Sequence, residues 1–242
     1  MKAAYTTRCC LVTVGAAALC AFTAPARSQA QAPLYSVTVL GSGYSAGGIN
    51  ASGQVPGTNL VTLGGANNWV FGINATDQVA GYSELPGNTV LHAVRWTGTT
   101  PTDLGTLGGA DSDAEGINDS GQVAGSSLIS GNVADHAVRW TGTTPTDLGT
   151  LGGTYSFGYG INASGQVTGR SQVAGNSGYH AVRWTGTTPT DLGTLGGDSS
   201  GSAINVSGEV AGYYYLTGAS GPTHAAVWTG TTPADLGTLA AC

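Results

Sequence analysis

A period of 44 residues runs through this chain, and it limits the possible folds more than any other feature. His92, His136, His180 and His224 stand 44 apart, and so do Trp96, Trp140, Trp184 and Trp228. The stretch WTGTTPTDLGTLGG, from Trp96 to Gly109, recurs unchanged from Trp140 and from Trp184, and degrades to WTGTTPADLGTLAAC from Trp228. A second marker, Ile-Asn followed by a turn sequence, falls at Asn50, Asn74, Asn118, Asn162 and Asn205. Only 24 residues separate the first two, so the first unit is truncated and lacks the His-to-Trp segment. Units of this kind cannot bury an apolar face alone. They stack, and each neighbour supplies part of the core.

Within a full unit the sequence predicts four short strands, as in Trp69–Asn74, Gln78–Ser83, His92–Trp96 and Asp103–Leu107. They are rich in Val, Ile, Trp and Thr and are separated by Gly, Asn or Pro clusters. No stretch of ten residues beyond the N-terminal region carries a helical period. The turn Asn-x-Ser-Gly, as in Asn50-Ala51-Ser52-Gly53, suits an Asn that bonds its own backbone and a Gly that accepts positive φ. One unit has Asp77 where the others have Gly, and Asp tolerates the left-handed region. Thr97-Gly98-Thr99-Thr100-Pro101 favours a tight antiparallel hairpin, with Pro101 at a strand entrance.

With Tyr35–Leu40 taken as an extra strand of the fourth type, the candidates number twenty, enough for five four-stranded blades. The expected fold is therefore all-β, with tandem repeats of about 44 residues arranged as a small five-bladed β-propeller whose first blade is incomplete. A β-solenoid is the alternative. Ring closure would bring Tyr35–Leu40 beside Asp235–Leu239 and remove exposed sheet edges.

The ordered motifs His-Ala-Val-Arg-Trp, Asp-Leu-Gly-Thr-Leu-Gly-Gly and Gly-Ile-Asn-x-Ser-Gly-Gln-Val-Ala-Gly resemble the HAF-type bacterial extracellular repeat over residues 35–242. That family has Phe after His-Ala, where this chain has Val94, Val138, Val182 and Ala226. The resemblance implies export and a bacterial source, and it implies no known activity.

Residues 1–30 read as a secretory signal. Lys2 and Arg8 precede an apolar run from Cys9 to Ala24, and Ser28-Gln29-Ala30 offers a cleavage site. A single repeat domain, 31–242, remains. Losing the three cations of the signal moves the formal charge from −6 to −9 and leaves no lysine. Nucleic acid and anionic membrane surfaces are poor partners for such a chain. No segment of the mature chain is expected to span a membrane. Of the four cysteines only Cys242 survives cleavage, so an intramolecular disulfide is excluded and a Cys242-linked dimer is open.

The sequence assigns no catalytic, cofactor-binding or metal-binding residue. Each His pairs with an Asp eleven positions on (His92 with Asp103, His136 with Asp147, His180 with Asp191, His224 with Asp235), which suits a bond pinning a hairpin better than a dispersed metal site. Arg95, Arg139 and Arg183 read as exposed residues beside an acid, or as a row for an anionic or sugar ligand. Asp111 to Gly116 has the opening of a calcium loop but lacks its terminal Glu. Gly43 to Gly47 and Gly197 to Gly201 match G-x-S-x-G without a following helix. Asp111, Asp113, Glu115 and Arg170 are charges peculiar to single units. The segments Glu84–Leu91, Leu128–Asp135, Gln172–Tyr179 and Leu216–Thr223 also vary between units. They suggest a binding or scaffold module for a cell-surface glycan or protein, at or outside the cell envelope. A secreted hydrolase or lyase with a central site is the alternative.

Overall fold

The Ile-Asn pairs at Asn74, Asn118, Asn162 and Asn205 each end a strand because the Asn side chain takes over the hydrogen bonding there. In the computed structural model, which describes residues 47–56, 59–218 and 222–237, Oδ1 of Asn118 accepts from the backbone N–H of Ser120 and of Gln122, at 3.1 and 3.0 Å. The same pair of bonds forms at Asn50, Asn74, Asn162 and Asn205. The turn's last residue is left-handed throughout: Gly121 at φ 73° and, as its side chain permits, Asp77 at φ 61°.

Among the described residues, sixteen strands form four antiparallel sheets, each a simple meander. Sheet 1 holds β1 (Asn68–Ile73), β2 (Gln78–Glu84), β3 (Leu91–Thr97) and β4 (Thr100–Asp103). Sheet 2 holds β5 (Gly108–Ile117), β6 (Val123–Ile129), β7 (Asp135–Thr141) and β8 (Thr144–Asp147). Sheet 3 holds β9 (Gly152–Ile161), β10 (Val167–Val173), β11 (Tyr179–Thr185) and β12 (Thr188–Gly193). Sheet 4 holds β13 (Ser199–Ile204), β14 (Val210–Tyr215), β15 (Thr223–Thr229) and β16 (Thr232–Gly237). No helix is long and apolar enough to cross a membrane among the described residues.

Two expectations shift. The fourth strand begins at Thr100, not Asp103, because a two-residue hairpin at Gly98-Thr99 pairs Thr97 with Thr100 and Trp96 with Pro101. Gly98 has φ 60°, as the first central position of a type II′ turn requires. The sheets number four rather than five, since the described residues of the truncated unit, ahead of Asn68, form no strand. Tyr35–Leu40, the signal region and Cys242 lie outside the described residues, as does Leu239.

Each sheet has two apolar faces, and each interior sheet turns both to its neighbours. One presents Val, Val and Trp, as in Val123, Val138 and Trp140. The other presents Ala, Ala and Leu, as in Ala80, Ala93 and Leu104. The second face of sheet 1 packs on the first face of sheet 2. The same cluster recurs between sheets 2 and 3; between sheets 3 and 4 Ala226 replaces a Val, Tyr214 is added, and Thr168 stands at the position of Ala80 and Ala124. Trp96, Trp140, Trp184 and Trp228 are wholly buried. The first strand of each later sheet carries most of the contact: β5 packs on β1, β2 and β3, β9 on β5, β6 and β7, and β13 on β9, β10 and β11.

Three devices join one repeat to the next. Nδ2 of Asn74 donates to the carbonyl of Asn118 at 3.0 Å, and Asn118 and Asn162 continue the ladder to Asn162 and Asn205. Arg95, Arg139 and Arg183 each reach across to the turn carbonyl of the following sheet, at Gly121, Gly165 and Gly208, within 2.7–2.9 Å. They are neither exposed partners of an acid nor a ligand-facing row. Gly72, Gly116 and Gly160 lie against the next first strand so closely that a Cβ at Gly116 would stand 2.7 Å from the Tyr159 carbonyl oxygen. Sheet 4 has Ala203 and Val227 at the Gly and Arg positions, and its Leu236 is 63% exposed where Leu104, Leu148 and Leu192 are buried.

Candidate functional site

The repeat is so regular that the places where units differ are the informative ones. Every first strand carries a β-bulge. Pairing runs Val70 with Gly81 and then Gly72 with Ala80, which leaves Phe71 unpaired. The unpaired residue is Glu115 in β5, Tyr159 in β9 and Ser202 in β13. A bulge re-aims one side chain out of the ladder, and here each sheet re-aims a different chemistry. Two residues earlier the first strand pairs across to the second with equal diversity: Trp69 with Tyr82, Asp113 with Ser126, Phe157 with Arg170, Ser200 with Tyr213. The bulge carbonyls sit over Gly72, Gly116 and Gly160 of the preceding sheets, so the four bulges are consecutive neighbours along the array.

The side chains gather accordingly. Trp69 and Phe71 lie against Tyr82, with ring centroids 4.9 and 5.5 Å apart. The Arg170 guanidinium stands over the rings of Phe157 and Tyr179, at 5.1 and 4.8 Å. Its Nε is buried without a hydrogen-bond partner. Asp113 and Glu115 are both half-buried, and neither makes a side-chain hydrogen bond or ion pair among the described residues. Burial, then the neighbouring carboxylates Glu115 and Asp135, push the Asp113 carboxyl up to about 7. Burial also raises Glu115. The Tyr159 hydroxyl is pushed up to about 12, chiefly by burial, with Arg170 opposing and Tyr213, Glu115 and Asp113 adding to the rise. Tyr82 rises for the same reasons, with Asp113 and Glu115 as the charges it feels.

Asp113, Glu115 and Arg170, seen in the sequence as scattered charges of single units, therefore share one neighbourhood with Tyr82, Tyr159 and Tyr213. Sequence reasoning missed the aromatic half of this set. The signal was there: three residues before each marker Asn, the chain reads Phe71, Glu115, Tyr159 and Ser202. Two of the variable segments border the same place. Tyr179 ends one and covers Arg170, while Asp135 ends another and faces Asp113.

The other motifs resolve into structure. All four His–Asp pairs form, with Nδ1 to carboxylate distances of 2.9–3.0 Å. Each Asp also accepts from the backbone N–H two residues on, as Asp147 does from Gly149 at 2.7 Å. The pairs sit one to a sheet, and no three metal-ligating side chains converge among the described residues. Asp111 to Gly116 is an extended part of β5, not a calcium loop. Ser199 of the G-x-S-x-G match is buried, donating to the Gly193 carbonyl and accepting from Ala181 N–H, so its hydroxyl is committed to joining sheets 3 and 4. Asn74, Asn118 and Asn162 are buried ladder residues whose amides are in use, which leaves their N-x-S/T sequons no free acceptor. Neither the family models nor the curated proteins contain a match to this chain.

Proposed function

We propose that this chain is an exported binding module whose recognition surface is the row of first-strand bulge and cross-strand side chains, bordered by the variable segments. The observation that carries this reading is the contrast within the repeat. Core, turns, hairpin pins and inter-sheet bonds are copied from unit to unit, while Phe71, Glu115, Tyr159 and Ser202 differ at one equivalent, re-aimed position. Aromatic faces beside ionisable groups give both contact area and directional hydrogen bonds, the usual composition of a ligand site. The resemblance to the HAF-type extracellular repeat and the secretory reading of residues 1–30 agree with a role at or beyond the cell envelope.

A propeller-like arrangement fits this role. Contact between successive sheets runs mainly through the first strand of the later sheet, which packs on the first three strands of the one before. If the sheets are set around an axis with their first strands innermost, side chains aimed from those strands face a shared centre. The test is a thermal-shift screen of saccharides, peptides and small charged molecules. A ligand that raises the melting temperature of the protein, but not of a Tyr159→Ser, Tyr82→Ser double variant, supports the reading. A ligand whose effect survives that variant overturns it.

The raised Asp113 carboxyl next to Glu115 also favours a second reading, a secreted hydrolase or lyase, because a carboxylic acid held near 7 can donate a proton at neutral pH. Turnover of a glycoside or ester that Asp113→Asn abolishes would select it.

A further inference from the structure

We propose that the part of this row contributed by sheets 1 and 2 binds an organic cation, an alkylammonium or quaternary ammonium group, between the aromatic side chains Trp69, Phe71 and Tyr82 and the carboxyl groups of Asp113 and Glu115. The inference rests on the recognition surface proposed above and names the ligand class for one end of it.

Three observations converge. The first is uncompensated acid. Asp113 and Glu115 are half-buried and have no hydrogen-bond or ion-pair partner among the described residues, although carboxylates drawn out of water ordinarily acquire one. The nearby cation, Arg170, is held over Phe157 and Tyr179 and forms no ion pair with either. The second is the aromatic wall. Trp69 and Phe71 occupy in sheet 1 the positions that Asp113 and Glu115 occupy in sheet 2, and the strands bearing them, β1 and β5, are in contact. Trp69 is 38% exposed, unlike the four buried core tryptophans, so part of it stays open. Aromatic faces beside carboxylates attract cations by quadrupole and by charge. The third is ligand number. No three metal-ligating side chains converge here among the described residues, and two carboxyls are too few for a hard metal ion, which takes six or more oxygens in the case of calcium. A diffuse organic cation, which loses little hydration, needs no such shell.

The groups that face Asp113 define the pH response: Glu115 on its own strand, Asp135 from β7, Tyr82 from β2 and Tyr159 from β9, with Asp111 acting on Asp135 and Arg170 on Tyr159. A cation binds the ionised carboxyl, so binding strengthens as pH rises through the range in which Asp113 ionises.

The experiment is calorimetric titration of the protein with choline and tetramethylammonium, with 3,3-dimethylbutan-1-ol as the neutral shape-match of choline. Quenching of Trp69 fluorescence serves as a second readout. Saturable choline binding is expected, at least tenfold tighter than the neutral alcohol. Asp113→Asn and Glu115→Gln should each weaken it roughly tenfold or more, and Arg170→Gln should leave it or strengthen it. Between pH 5.5 and pH 8 the affinity of the unaltered protein should rise about tenfold, and the Asp113→Asn variant should lose that rise. Equal affinity for the neutral alcohol, a flat pH profile, or no saturation by either cation overturns the proposal. If a saccharide or peptide binds instead, and Tyr159→Ser abolishes its binding while Asp113→Asn does not, the cation is refuted and the recognition surface stands. If that binding ignores the whole row, both are refuted.

Discussion

Four tryptophans occupy equivalent buried positions, yet only one has its indole N–H satisfied, and this difference can be measured. Trp96 donates to the Val61 carbonyl at 2.8 Å. The Nε1 atoms of Trp140, Trp184 and Trp228 are buried without a partner. Truncation of Trp140 to Ala removes about 200 Å² of buried aromatic surface and leaves a cavity, at a cost of about 3–5 kcal/mol. Relief of the orphaned N–H offsets part of that cost, by about 1 kcal/mol or more. The replacement Trp→Phe isolates the polar difference, since both sites lose a similar apolar volume. Trp96→Phe sacrifices a hydrogen bond and strands a carbonyl, whereas Trp140→Phe removes a group already unsatisfied. Trp96→Phe should therefore cost about 2 kcal/mol more than Trp140→Phe. Urea melts followed by far-ultraviolet circular dichroism, compared at unchanged m-value, read this difference. Equal costs, or a larger cost at Trp140, would refute the account, and a loss below about 1 kcal/mol for Trp140→Ala would refute the burial argument itself.

Gly116→Ala should cost about 2–3 kcal/mol, because its Cβ would meet the Tyr159 carbonyl oxygen at 2.7 Å, while Ala203→Gly should stay within about 1 kcal/mol; denaturant melts compare them. Arg139→Met keeps the apolar stem but loses the 2.8 Å bond to the Gly165 carbonyl, so about 1–2 kcal/mol should be lost in the same assay, with Val227→Met as a near-neutral control. The Asp113 carboxyl is raised from 3.8 to about 7 in the folded chain, so the folded state binds more protons than the unfolded state between those values. Stability contributed there should be fullest below about pH 4 and fall as pH rises to 7; Asp113→Asn should flatten that slope and raise the melting temperature at pH 8. Asp235 lies the other way, held below the ordinary carboxylate range by the Gly237 N–H and then His224. Its contribution should persist at neutral pH and fade as acid titrates it, a small effect visible as a chemical-shift midpoint below that of an unperturbed Asp.

Much of the fold was legible because the repeat exposes its own periodicities. The Trp positions, the Asn-x-Ser-Gly turn with its Asp77 exception and the His–Asp pins all follow from local chemistry at fixed spacing. The fourth strand starts earlier than the sequence suggests because Thr97 to Pro101 reads as one connection, whereas a two-residue turn at Gly98-Thr99 lets Thr100 and Pro101 pair with Thr97 and Trp96, and Pro101 does lie at the strand's entrance. The Arg row was misread for a different reason. Alternation puts Arg95 on the face opposite Trp96, but only the stacking of sheets shows that this face meets the Gly121 turn. The ladder was hidden likewise, since each Asn bonds a residue one repeat away. The candidate site needed both levels. Its charges stood out as departures from the repeat, and its aromatic members became visible only once the bulge showed that Phe71, Glu115 and Tyr159 hold one structural position.

The glycine and arginine that receive a following sheet are present in sheets 1 to 3 and replaced by Ala203 and Val227 in sheet 4. A copy of the unit appended after sheet 4 would meet a methyl group where its strand must approach, and would find no guanidinium for its turn carbonyl. A copy inserted between existing sheets would find both. Duplication of an interior segment therefore keeps both devices intact, whereas a copy placed after sheet 4 would lose them. The three unchanged WTGTTPTDLGTLGG stretches, followed by one that departs from them, are the pattern such internal growth leaves in a gene.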